Sequence, residues 1–129
     1  MVAVDTNVLI RLVVADHAAQ AARAAAVFRS DPVFIAKSVL LEAQWVLRYS
    51  YELGAEAILR SLRAVLGLEN VSVEDPKAIT AALRLFERGL DFADALHIAS
   101  SAQTERFVTF DARLVKWARR ASTLEVAVA

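Results

Sequence analysis

No cysteine occurs among the 129 residues. Disulfides and zinc–thiolate sites are therefore excluded, and a cytoplasmic protein is the natural expectation. A surplus of positive charge is also missing. Lys plus Arg number 15 and Asp plus Glu number 15, for a formal net charge of zero. Proteins that bind nucleic acid usually carry a basic excess, so any such binding here must rest on local patches or on a metal ion. No apolar run is long enough to span a bilayer. The apolar stretch over residues 8–14 is interrupted by Arg11 and preceded by Asp5, which does not read as a signal peptide. No internal repeat, linker or low-complexity segment breaks the chain.

What the chain does contain is apolar mass. Hydrophobic residues make up 57%, high for a soluble domain, and the length suits one domain with one core over residues 1–129. The surplus is expected to be buried against a partner. The few punctuating residues are consistent with a compact unit. Gly54, Gly67 and Gly89 fall at expected helix ends. Asp75 followed by Pro76 reads as an N-cap with proline at the first helical position.

Short apolar strands are expected at residues 2–4, 33–36, 71–73, 107–109 and 124–128. Helices are expected between them. One contains Val8, Leu9, Leu12 and Val13 and is capped by Thr6 or Asn7; a second runs from Asp16 to about residue 29. A third is capped by Ser38 and has Leu41, Trp45 and Val46 on one face. Others cover residues 56–66, 76–88, 92–103 and 112–119. Short strands alternating with helices predict a parallel sheet with helices on both faces.

Against that frame the acidic residues sort into two groups. Asp16, Asp31 and Asp75 are explained as caps or turns. Glu52, Glu56, Glu69, Glu74, Glu87, Glu105 and Glu125 read as solvated surface, with strand-borne Glu125 a doubtful case. Asp5, Glu42, Asp91, Asp94 and Asp111 remain. Asp5 and Asp111 each follow an apolar strand, and Glu42 lies about one turn into a helix among apolar neighbours. Asp91 and Asp94 share a helix face. Each has a local explanation: Asp5 and Asp111 as N-caps, Glu42 as a partner of the helix dipole, Asp91 and Asp94 as the two halves of a capping box. Jointly they are expected at one edge of the sheet, where open α/β sheets bind ligands. Carboxylates gathered there repel one another unless a cation lies among them, and a hard divalent ion with oxygen ligands answers that need. His97, one turn beyond Asp94, is read as packed or as a neighbour of the acidic site rather than as a ligand.

The segments Val4-Asp5-Thr6-Asn7-Val8-Leu9, Ser38 through Glu42, Asp91-Phe92-Ala93-Asp94-Ala95-Leu96-His97 and Thr109-Phe110-Asp111 together resemble the PIN domain, and in particular the VapC-type toxins of prokaryotic toxin–antitoxin pairs. The resemblance implies a three-layer α/β/α sandwich around a central, mostly parallel four- to five-stranded sheet. It implies a Mg²⁺- or Mn²⁺-dependent endoribonuclease whose acidic site is Asp5, Glu42, Asp94 and Asp111, with Asp91 as a further carboxylate and Thr6, Asn7 and Thr109 as flanking polar residues. Asp5 and Asp94 are assigned direct coordination; Glu42 and Asp111 act through water or complete a second site. Products with a 5′-phosphate and a 3′-hydroxyl are implied as well.

Phosphodiester hydrolysis needs a deprotonated water, an in-line approach and neutralised phosphate charge, all of which carboxylate-held divalent ions supply, at a two-metal spacing of about 3.5–4 Å. Candidate phosphate contacts are Arg11, Lys37, Arg48, Arg113, Lys116, Arg119 and Arg120, densest at residues 116–120, with Trp117 expected in the core. Three other readings carry less weight. A catalytically silent PIN-like scaffold would lack a core acid. A phosphatase using Asp5 as nucleophile usually wants a second aspartate where Asn7 stands. A phosphorylation receiver wants a lysine after the fourth strand. The expected partners are RNA, a VapB-like antitoxin and a second copy of the chain, the dimer using the helices at residues 39–53 and 58–68. An antitoxin arginine reaching the acidic pocket would displace metal and silence the enzyme.

Overall fold

The computed structural model describes residues 1–129. Five strands and seven helices alternate along the chain: β1 (Val2–Ala3), α1 (Thr6–Val13), α2 (Ala18–Ser30), β2 (Val33–Ile35), α3 (Lys37–Tyr49), α4 (Ala55–Leu66), β3 (Val71–Val73), α5 (Pro76–Glu87), α6 (Phe92–Ser100), β4 (Arg106–Thr109), α7 (Ala112–Ala121) and β5 (Glu125–Val128). Every expected element is present, and the boundaries differ by a few residues. All strand pairs are parallel, and helices supply the crossover connections that parallel pairs need. The strands form two ladders, β1-β2-β3 and β4-β5. No helix is long and apolar enough to cross a membrane.

The chain divides into two compact units, Met1–Pro76 and Lys77–Ala129. In the first, Val2 pairs with Val33 and Val33 with Val71, so β2 is central. Its side chains Val33 and Ile35, which share one face, are fully buried, and Phe34 on the opposite face is half-buried. Leu9 and Ile10 from α1, Leu40, Ala43 and Leu47 from α3, and Ile58 and Leu62 from α4 complete that core. The buried stripe of α3 differs from expectation. It runs through Leu40, Ala43, Gln44 and Leu47, and Trp45 is left 56% exposed. Gln44 is thus drawn into the core, where its Nε2 finds no partner. In the second unit, Ala82 and Phe86 of α5, Phe92, Ala95 and Ile98 of α6, Leu114 and Ala118 of α7 and Val126 of β5 are buried. Phe86 and Phe92 meet edge to face at 5.5 Å between ring centroids, a contact that adds about 0.5–1.5 kcal/mol beyond its area.

The caps differ from the sequence reading in three places. Asp5, not Thr6 or Asn7, caps α1: its Oδ1 accepts a hydrogen bond from the Val8 N–H at 3.2 Å. His17, not Asp16, caps α2, its Nδ1 accepting from the Gln20 N–H at 3.2 Å. Asp16 instead accepts from the Tyr51 hydroxyl at 2.9 Å and pairs with Arg11 at 3.4 Å. Ser38 caps nothing; α3 begins at Lys37 with no side-chain cap of its own. The Lys37 N–H donates to Glu74 Oε1 at 2.9 Å, so a residue after β3, read from the sequence as solvated, serves that helix start.

Candidate active site

In the first unit, Asp5 lies where β1 hands over to α1, exposed at the rim of a cleft of about 330 Å³. Asn7, Arg11, Gln20 and Arg23 supply the polar part of its wall. Arg11 is already engaged, donating to Gln20 Oε1 at 2.7 Å and to the Tyr51 hydroxyl at 3.0 Å. Thr6 is buried, and its hydroxyl donates to Glu42 Oε1. Glu42 itself is exposed on α3, beside the buried stripe rather than within it. Its position among apolar neighbours in the sequence therefore reflects the edge of the stripe.

The second unit gathers carboxylates. Asp91, Asp94 and Asp111 line one cleft of about 280 Å³, together with Gly89, Arg113 and Trp117. Asp91 caps α6, its Oδ2 accepting from the N–H groups of Ala93 at 3.1 Å and Asp94 at 3.3 Å. Asp111 caps α7, its Oδ1 accepting from Arg113 at 2.9 Å and Leu114 at 3.2 Å. Thr109 Oγ1 accepts from the Asp111 N–H at 3.1 Å and so fixes the turn that presents this carboxylate.

The capping box expected from the spacing of Asp91 and Asp94 is only half made. Asp91 caps, but the Asp94 carboxylate accepts no hydrogen bond. It stands half-buried. Burial raises its pKa most, the negative charges of Asp91 and Asp111 raise it further, and His97 opposes them. His97 is exposed and not packed, so only the neighbour half of its sequence reading fits.

The cap roles leave oxygens over. Asp5, Asp91 and Asp111 each use one carboxylate oxygen in capping, and Glu42 uses one toward Thr6. A cap and a ligand are thus compatible in one residue. No three acidic or imidazole side chains stand close enough together to enclose an ion by themselves. The donor set of the second unit nevertheless suits a hard cation: oxygen only, negatively charged, with one member disfavoured in its ionised form by burial first and by its acidic neighbours second. An ion that keeps most of its waters, as Mg²⁺ commonly does, needs few direct protein ligands.

The candidate phosphate contacts split as well. Lys37 pairs with Asp75 at 2.9 Å, Arg48 lies 5.8 Å from the centroid of the Tyr49 ring, and Arg11 is held as described. Arg113, Lys116, Arg119 and Arg120 on α7 make no side-chain hydrogen bond or ion pair. Arg23, at the Asp5 cleft, was missed; only its place on α2 facing α1 marks it, and the sequence carries no signal for that.

No curated protein matches the chain. The family model described as PIN domain matches residues 2–120. The α/β elements, the parallel strands and that match agree: the chain belongs to the PIN-domain family, whose members are typically metal-dependent nucleases.

Proposed function

We propose that this protein is a divalent-metal-dependent endoribonuclease, the toxin of a VapBC-type pair. The observation that carries the proposal is Asp94: a half-buried carboxylate with no hydrogen-bond donor, in one cleft with two further carboxylates. Burial and the neighbouring charges of Asp91 and Asp111 both disfavour its ionised form, and a cation among these carboxylates relieves that. Family membership supplies the nuclease chemistry.

A bound Mg²⁺ or Mn²⁺ would acidify water and neutralise phosphate charge. Asp5 and Asp94 are each proposed as direct metal ligands, Glu42 and Asp111 as ligands through water or at a second position, with Asp91 as a further ligand. The chain's own contribution is preorganisation. The α6 and α7 N-termini fix one oxygen of Asp91 and Asp111, and the Thr6 hydroxyl fixes one of Glu42. Carboxylates held this way need no reordering when charge develops. Thr109 holds the Asp111 turn, and Asn7 lines the Asp5 cleft as a neutral donor for the substrate. Attack of water on phosphorus with departure of the 3′-oxygen leaves a 5′-phosphate and a 3′-hydroxyl.

Two partners belong to this reading. Trp45 and Tyr49 are 56% and 59% exposed, with ring centroids 5.2 Å apart. A homodimer and an apolar segment of a VapB-like antitoxin are proposed to use this aromatic face, and an antitoxin arginine to silence the acidic cleft. The large apolar residues of α4 are mostly spent in the core, so α3 carries the interface. Absence of cysteine supports a cytoplasmic setting.

The test is cleavage of RNA by the purified protein with Mn²⁺ or Mg²⁺ and with a chelator, in parallel with Asp94→Asn. Metal-dependent cleavage giving 5′-phosphate ends, lost in the variant, is expected. Equal cleavage by the variant, with contaminating nucleases excluded, overturns the proposal. Light scattering that finds a monomer at micromolar concentration removes the dimer.

A further inference from the structure

We infer that α7 carries a binding face for single-stranded RNA, with Trp117 as a base-stacking platform and Arg113, Lys116 and Arg120 as phosphate contacts. Trp117 was expected in the core, but the buried residues of α7 are Leu114, Val115 and Ala118, and the indole is left 43% exposed. It lines a cleft of about 350 Å³ whose other walls are Arg113, Lys116 and Arg120. None of these three cations has an ion-pair partner or a side-chain hydrogen bond. In a chain of zero net charge, three unengaged cations around one exposed aromatic ring form a local basic patch.

The ring is also held in place. Gly89 takes φ +105°, and a Cβ there would lie 3.0 Å from Trp117 Cη2 and 3.2 Å from Cζ2. Only glycine fits both that backbone and that approach, so the indole rests against the turn after α5 and keeps its remaining surface for a ligand. A ring fixed before binding loses little freedom on binding. Arg113 and Trp117 line the acidic cleft of Asp91, Asp94 and Asp111 as well. A strand stacked on Trp117 therefore runs along the edge of that cleft. Unpaired bases offer their faces to an aromatic ring and paired ones do not, which selects single strands over duplex. That the ligand is RNA rests on the nuclease reading above.

The experiment measures binding apart from cleavage. A fluorescein-labelled 12-mer of oligo(A) RNA is titrated by anisotropy in chelator at low salt, against wild type, Trp117→Ala, Trp117→Phe and Arg120→Ala. Each variant is checked by its melting curve. Trp117→Ala is expected to weaken binding about tenfold and Trp117→Phe to retain most of it. Arg120→Ala should flatten the slope of log affinity against log salt by about 0.7. In a Trp45→Phe background, the emission of Trp117 should be quenched as RNA binds. Duplex RNA of the same length should bind with no dependence on Trp117. Unchanged affinity in folded Trp117→Ala, unquenched emission, an equal Trp117 dependence for duplex, or no binding by the wild type overturns the inference. Absence of metal-dependent cleavage with Trp117-dependent binding intact would instead count against the nuclease reading alone.

Discussion

Asp5 borders a cleft whose wall also holds Arg11 and Arg23, whereas Asp94 shares its cleft with Asp91 and Asp111, and Arg113 is the cation on that wall. Both regions place aspartates at helix N-termini, and in both each capping residue commits one oxygen. They differ in what surrounds the remaining oxygens. In the first unit, basic and amide side chains stand nearby; in the second, carboxylates stand near a carboxylate that has no donor of its own. The lesson is that a capping role does not argue against a ligand role. Crowding, and not position at a strand end, distinguishes the acid that structure alone does not explain.

The largest expected effect treats the two regions alike. Asp5→Asn and Asp94→Asn should each lower metal-dependent RNA cleavage by about two to three orders of magnitude, read from initial rates at saturating metal. Loss in one variant and full activity in the other would confine catalysis to one unit.

The next effect separates them. The folded-state pKa of Asp94 is raised, so the native state binds its proton more tightly than the unfolded chain does. The stability this gives is present below the ordinary aspartate range and is lost as pH rises through the raised value. Metal-free wild type should therefore lose this contribution on going upward from about pH 4. Asp94→Asn should remove that dependence and melt higher at neutral pH, and Asp5→Asn should not, because asparagine caps nearly as well as aspartate. Melting curves across pH check this; equal shifts in the two variants would erase the distinction.

Smaller effects sharpen the caps and the core. Asp111→Ala should cost α7 about 1 kcal/mol in denaturant unfolding, and Asp111→Asn should cost little, although both lose a negative ligand. In the first unit, Gln44→Met should stabilise by about 1 kcal/mol, since the buried Nε2 is unsatisfied. Destabilisation would reveal a partner for that amide.

Much of the fold was legible because its signals are local. The apolar triplet Val33–Ile35 marks β2, the alternating Val71-Ser72-Val73 marks β3, and Asp75-Pro76 marks the start of α5. The caps were less legible, because Glu74 reaches Lys37 from another part of the chain, and sequence spacing does not report such donors. Hydrophobicity places Trp117 in the core and groups Trp45 with Leu41 and Val46 on one helix face, and the stripes that pack run one position aside. For the acidic residues, the sequence supplied the candidates and the family. It left Asp91 and Asp94 readable as a complete capping box. In the folded chain Asp94 does not reciprocate, and it lies beside Asp111 in one cleft.

The most direct measurement is the melting temperature of the metal-free protein on addition of Mn²⁺ or Mg²⁺, in wild type and in Asp94→Asn. A cation that binds the folded acidic cleft stabilises it by mass action, about 2.7 kcal/mol at one hundred times the dissociation constant. Wild type is expected to shift upward with metal concentration, and Asp94→Asn to start higher and shift little. An equal metal-induced shift in both proteins, or none in the wild type, would contradict the account.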